Sequence, residues 1–349
     1  MFRGRRPPHD RGVTQNHGKS IGITAAGAFL PERTLSSDSL EQRVAGAHDL
    51  DVPPGSLKQR TGISQRRIAR DDEYASTLAI GAARQALAAA GLGAGDFDLL
   101  IFASASRDVA EPATAHIVQA GLGSRAHALD VTNACNSFIN GIDIARALLL
   151  AGRGRRALVV TGETPTRAIR WQPASVAQLR RGFAGYTFGD AGAAVIIEPV
   201  ARGGILDVDT ETRSEHWDVG GVFGGGSRHP RDPEKTYFEG DGHALLEVFE
   251  KVGIGILDRV RDRTGMAVGD YAKVLVHQVT LPYLERFAEL TGVPGASLEV
   301  TVTELGNMAS ATLGVQLARV FAGLGTGDRV LLIGLGGGVS VMTMGWEKS

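Results

Sequence analysis

Hydrophobic positions along this chain switch repeatedly between two spacings. Strand-like stretches, several of them short apolar runs that suit buried strands, occur at 20–23, 98–103, 126–131, 157–162, 191–197, 204–209, 273–276 and 329–333. Stretches with helical spacing lie between them, at 75–91, 135–152, 243–257, 282–290 and 311–324. Gly91, Gly152 and Gly292 stand where a helix C-terminus commonly stops. Buried strands alternating with amphipathic helices predict an α/β fold. The alternation runs twice, with a division near 199–203. An N-terminal half over 20–200 and a C-terminal half over 201–349 are therefore expected, because 349 residues exceed an ordinary single core. Residues 164–188 and the Gly- and Arg-rich residues 220–233 are long and irregular, which suits lids or site walls. Residues 1–19 contain Arg5-Arg6 but no long apolar region follows, so they read as a disordered extension rather than an export signal.

Charge and cysteine usage narrow the function classes. A net charge of -1 gives no field that argues for nucleic acid or an anionic membrane. No apolar run reaches the ~20 residues a membrane span requires. The single cysteine excludes an intrachain disulfide and Cys-rich zinc patterns, and it fits a reducing cytoplasm. HExxH, CxxC and Walker lysine patterns are absent, so neither a metal nor a nucleotide is expected.

That one cysteine, Cys135, follows a strand and a small-residue turn and opens the 135–152 helical stretch. Backbone N–H groups and the helix dipole there favour thiolate, which predicts a thiol pKa below the ordinary ~8.5. The competing reading is a small buried hydrophobe. His277 ends an apolar strand and reads equally as a core histidine. Asn307 lies between a turn glycine and a helix, where an N-cap asparagine is common. The 334–338 cluster, GLGGG, lacks the spacing of a dinucleotide site; consecutive glycines instead let backbone N–H groups approach a reacting oxygen.

Taken in order, these segments resemble the ketoacyl-synthase III branch of the thiolase superfamily. The resemblance rests on Leu30-Pro31-Glu32-Arg33, Arg60-Thr61-Gly62-Ile63, Ala134-Cys135, Gly189-Asp190-Ala191-Gly192, Val276-His277-Gln278, Gly306-Asn307 and the terminal glycines. Within that branch, residues 104–115 (SASRDVAEPATA), 133–135, 138–143, 162–164 and 277–279 are similar to the head-to-head acyl-CoA condensing thiolases of olefin biosynthesis. Three departures stand out. Asn136-Ser137 follows the cysteine where small or apolar residues are usual. Ala309 replaces a common glycine. Ser56 stands where an aromatic residue usually precedes the Arg-Thr-Gly-Ile motif.

The resemblance implies a five-layered α/β/α/β/α sandwich of two pseudo-equivalent halves and a homodimer. It implies Cys135 as nucleophile, His277 and Asn307 as donors to an enolate, and Glu111 as a base reaching the partner's site. The N–H groups of Cys135 and Gly337 would form the oxyanion hole, and Arg60 would bind CoA. Acyl-CoA or an acyl carrier protein would deliver the substrates, and no cofactor is implied. The implied reaction is a non-decarboxylative Claisen condensation of two acyl thioesters. The alternatives are decarboxylative priming with a malonyl thioester, acyl transfer to an alcohol or amine, and a non-catalytic pairing subunit.

Overall fold

The structure, a computed structural model, describes residues 20–46, 48 and 52–349. The expected extension at 1–19 lies outside the described residues. Nine strands and six longer helices carry the fold. The strands are β1 (Ser20–Phe29), β2 (Leu99–Ala103), β3 (His127–Val131), β4 (Ala157–Glu163), β5 (Ala191–Val200), β6 (Gly204–Thr212), β7 (Lys273–Val276), β8 (Arg329–Gly336) and β9 (Ser340–Glu347). The helices are α1 (Ala75–Ala90), α2 (Thr114–Leu122), α3 (Ser137–Leu150), α4 (Gly242–Thr264), α5 (Leu281–Thr291) and α6 (Ala311–Phe321).

One sheet has the spatial order β1-β5-β4-β2-β3 and the other β6-β9-β8-β7. The order repeats. In each sheet the first strand pairs antiparallel with the last, the last pairs antiparallel with its predecessor, and the next pairing is parallel. The fifth position is filled by β3 in the first sheet and by a single parallel bridge, Val274 to Leu298, in the second.

Alternation along the strands sorts the side chains into layers. Ile101 and Ala103 of β2, with Val330 and Leu332 of β8, join Phe138, Ile142, Leu313 and Leu317 in one core around α3 and α6. Leu100 and Phe102 face the other way, onto α1 and α2. Leu331 and Ile333 face outward under α4 and α5. The result is the α/β/α/β/α sandwich that the resemblance implies, built from the two α/β halves that the pattern predicts. Its centre is tight: a Cβ on Gly314 of α6 would lie 2.4 Å from Ala193 Cβ and 2.9 Å from Phe138 of α3.

The strand expected over 20–23 runs on to Phe29 and the helix expected over 243–257 to Thr264, and two further boundary changes bear on the site. The helix expected over 135–152 begins at Ser137 and ends at Leu150, so Cys135 sits in the turn before it. The strand expected over 329–333 continues to Gly336, and a strand follows at Ser340–Glu347 that the apolar runs did not reveal. Ser340, Thr343 and Gly345 interrupt its hydrophobic sequence although it is buried throughout most of its length. Residues 164–188 fold into short helical turns rather than an open loop. They pack with helices Ser37–Ala45 and Ser56–Thr61 through Leu40, Val44, Leu57, Ile169, Tyr186 and Phe188. No helix among the described residues is long and apolar enough to cross a membrane.

Candidate active site

The turn between β3 and α3 is held by its own polar groups. Ala134 has φ 48°, a conformation that costs a residue with a Cβ. Ser137 Oγ donates to Ala134 O (2.6 Å) and accepts from Asn133 N (2.8 Å). This turn presents Cys135, which is half-buried. The backbone N–H groups of Cys135 and Gly337 lie close enough to its sulfur to favour thiolate. They are outweighed. Burial, and then the negative charge of Glu163, push the Cys135 thiol well above its usual range. Partial exposure softens the first effect. The expected lowering of the thiol pKa is therefore corrected: the backbone donors are present, but the resting side chain is a thiol.

Gly337 reaches the sulfur from the loop between β8 and β9. A Cβ there would sit 3.7 Å from Ala134 Cβ and equally far from Gly220 O. The same loop places Val339, a β-branched residue, at φ 55°.

His277 follows β7, and its N–H donates to Ile333 O of β8 (2.9 Å). The imidazole is buried, and burial lowers its pKa to about 4, so it is neutral at pH 7. Nδ1 is sealed, without a partner among the described residues. Gln278, next in sequence, pins the segment leading to Asn307. Its Nε2 donates to Glu299 O (2.7 Å), while its Oε1 accepts from Thr301 N (2.9 Å) and Val302 N (3.0 Å).

Asn307 is held on both backbone sides. Its N–H donates to Thr187 O (2.8 Å), and Gly189 N donates to its carbonyl (3.0 Å). Gly306 (φ 68°) and Gly189 make this approach possible: a Cβ would meet Thr187 O at 2.6 Å and Leu305 O at 2.0 Å respectively. Asn307 Oδ1 accepts from Ala309 N (3.0 Å), which turns Nδ2 the other way. Nδ2 has no protein acceptor among the described residues. Beneath this segment Arg66, fully buried, donates to Tyr186 O (3.2 Å) and Ser37 Oγ (2.9 Å). Desolvation lowers its pKa to about 10.

Glu111 and Arg60 are not part of this cluster within one chain; both are exposed. Glu111 lies in the 105–112 loop, whose root is gripped by a residue that the sequence reading left without a role. That residue is Glu163, at the end of β4, fully buried. It accepts from Ser104 Oγ (2.9 Å), Ala105 N (2.7 Å), Ser106 N (3.0 Å), Ser106 Oγ (2.7 Å) and Ser310 Oγ. A carboxylate closing a wholly buried strand, ALVVTGE, was the available signal, since buried charge demands such partners. Arg60 ends the helix Ser56–Thr61 and forms no ion pair among the described residues. The adjoining Gly62 packs on Leu281 of α5, 2.4 Å from where its Cβ would be.

The geometry can now be set beside known proteins. The model of 3-oxoacyl-[acyl-carrier-protein (ACP)] synthase III matches residues 129–214, and its C-terminal counterpart matches residues 262–348. The beta-ketoacyl-[acyl-carrier-protein] synthase III of Roseiflexus castenholzii is 32% identical over 91% of this chain and 95% of its own. That of Symbiobacterium thermophilum is also 32% identical, over 95% of this chain and 99% of its own. Among solved structures, OleA of Xanthomonas campestris superposes with a TM-score of 0.85 at 28% identity. The match covers 94% of this chain and 99% of the OleA chain, in a cysteine-to-serine variant with bound lauric acid and lauroyl-CoA. Other solved forms of OleA are variants at a glutamate and at a histidine.

Proposed function

The chain belongs to the 3-oxoacyl-[acyl-carrier-protein] synthase III family of condensing enzymes, and from that premise we propose that it joins two acyl thioesters without loss of CO₂. The observation that carries the reading is the seating of the chain's one thiol in a strand–helix turn packed against the glycine loop, where a Cβ on Gly337 would lie 3.7 Å from Ala134 Cβ.

Cys135 Sγ attacks the carbonyl carbon of the first acyl thioester. The negative oxygen of the tetrahedral intermediate is held by the N–H groups of Cys135 and Gly337. The C–S bond to the carrier breaks, the carrier thiol leaves with the proton, and an acyl-Cys135 thioester remains. The second acyl thioester then binds with its carbonyl oxygen facing His277 Nε2–H and Asn307 Nδ2–H. Two observations support those donors. His277 is neutral, and a bare Nδ1 acceptor is a milder buried state than an unpaired N–H, which places the proton on Nε2. Asn307 Nδ2 is turned away from its own backbone by the Oδ1 contact. A base removes the α-proton, the enolate carbon attacks acyl-Cys135, and a β-ketoacyl thioester leaves as the thiol is restored.

We assign Glu111 as the base of a partner subunit's site. Its exposure within one chain agrees with a role across an interface. β3 is the outermost strand of its sheet, with Leu129 and Val131 half-buried and one edge unpaired among the described residues. Such an edge favours pairing with a second copy. Acyl-CoA is the proposed substrate, with Arg60 at its entrance; an acyl carrier protein would present the same thioester. The chemistry uses no resident cofactor.

Decarboxylative priming is the second reading, favoured by the synthase III relatives. Product analysis with one acyl-CoA, with and without malonyl-CoA, separates the two. A β-ketoacyl product from acyl-CoA alone is expected. Condensation only when malonyl-CoA is present would replace the first reading by the second.

A further inference from the structure

Asn136 is completely buried, directly after the nucleophile, at a position where the sequence departs from its family. Its side chain does not cap α3. Instead Nδ2 crosses to the other half of the molecule and donates to Ser340 O (2.9 Å) and Ser340 Oγ (2.8 Å). Ser340 is the residue after Val339, the strained end of the loop that carries Gly337. Asn136 Oδ1 has no partner among the described residues and faces Gly334, where a Cβ would lie only 2.2 Å away. Gly336 completes the contact: a Cβ there would be 3.1 Å from Asn133 O and 3.2 Å from Asn136 N. Two turns, each with a non-glycine residue at positive φ, are thus fastened together by one amide, beside the sulfur that both turns address.

We propose that Asn136 is a positioning residue that holds the nucleophile turn against the glycine loop and so sets the spacing of the Cys135 and Gly337 N–H groups. This rests on the reading that Cys135 is acylated through an oxyanion intermediate. It explains why a buried amide with one unsatisfied oxygen is kept where an apolar side chain would avoid that cost. It also accounts for glycine at 334, since any larger residue would displace the amide.

Two reactions of the same sulfur distinguish positioning from simple support. Acyl transfer passes through an oxyanion. Alkylation by iodoacetamide displaces iodide directly and forms none. In Asn136→Ala, single-turnover acylation by straight-chain acyl-CoAs, acetyl to myristoyl, should fall about 10- to 100-fold, below the loss expected for deleting a donor outright. Alkylation of Cys135 at pH 8.5 forms no oxyanion and feels the donors only through the thiolate fraction, so it should fall by clearly less than acylation does. Asn136→Ser, a smaller change whose hydroxyl cannot span to both acceptors, should show an intermediate loss of acylation, again larger than its loss of alkylation. Acylation at the wild-type rate in either folded variant overturns the proposal. So does a fall in alkylation matching the fall in acylation, which would mean that Asn136 only supports the thiol. A wild type that takes an acyl group from none of these thioesters removes the acylation step itself and overturns both this proposal and the condensing reading.

Discussion

The turn before α3 and the segment before α6 occupy matching places in two sheets of the same strand order, yet they carry different chemistry. Both include an alanine in the left-handed region, Ala134 at φ 48° and Ala309 at φ 47°. In the first half this conformation presents a thiol in a turn packed against the glycine loop. In the second it brings Ala309 N back onto Asn307 Oδ1 and turns an amide N–H outward. On the proposed mechanism one backbone device therefore serves acyl capture at one turn and enolate formation at the other. The comparison suggests that these two turns, rather than whole halves, divide the reaction by step, and substitutions can test the division.

The largest effect belongs to Cys135→Ala. It should yield no acyl adduct by mass spectrometry and no condensed product, because both steps pass through the same sulfur. Product formation at a measurable fraction of the wild-type rate would break the comparison at its root.

Next in size is Glu111→Ala, which tests the base. Removing a general base costs typically about 10²–10⁴-fold. Condensation of simple acyl-CoAs should fall by that order while the adduct on Cys135 still forms. A malonyl thioester generates its enolate by losing CO₂ and requires no such base. If the variant matches the wild type with acyl-CoA alone, Glu111 is a solvated loop carboxylate.

His277→Ala and Asn307→Ala sharpen the division between halves. Each deletes one donor to the enolate oxygen, worth about 10²–10³ in rate. Acylation should persist within a few-fold and condensation should fall by that factor. A folded His277→Ala that fails to acylate would assign the imidazole to the first step and erase the boundary.

A smaller effect follows from the thiol. Its raised pKa means that the thiolate fraction near neutral pH is small and grows about tenfold per pH unit below the pKa. Alkylation of the free enzyme by iodoacetamide should therefore be slow at pH 7 and still rising at pH 9. A rate already level at pH 7 would mean that the backbone donors overcome burial and Glu163.

Much of this was legible in the chain itself. Continuous apolar runs such as those of β2, β4 and β8 marked the buried strands, since both faces of each are covered. β9 escaped because threonine and glycine lie buried within it, and their burial depends on neighbours distant in sequence. Cys135 was visible as the one thiol in a strand–turn–helix. His277 and Asn307 became visible only as members of an ordered set. Glu163 was given no role and Asn136 was seen only as a departure, because their partners lie at residues 104–106, 310 and 340 and no local spacing announces such contacts. The thiol's direction of titration was read wrongly for a related reason. The helix terminus is local, whereas burial and the charge of Glu163 are tertiary.

The smallest expected effect concerns Arg60, which lies outside both turns and so probes binding without touching either step. Its helix is anchored by Leu57 in the apolar cluster and by Gly62 against α5, so the guanidinium projects from a fixed base. Without an ion pair among the described residues, the competing reading of a structural surface pair has no partner to supply. A guanidinium offers planar paired N–H donors suited to phosphate, and CoA carries phosphates far from its reacting thioester. A contact that holds this remote group equally in ground and transition states affects KM alone. Arg60→Ala should therefore raise the KM for acyl-CoA a few-fold and leave kcat nearly unchanged. The contribution is electrostatic and exposed, so the difference between variant and wild type should shrink as salt rises from about 0.05 to 0.5 M. Lysine at the same position should recover only part of the affinity, because a point charge does not reproduce the paired donors. An unchanged KM at low salt would leave Arg60 as an ordinary surface residue. A fall in kcat instead would place it in the reacting geometry of the first half and remove the separation between binding and chemistry.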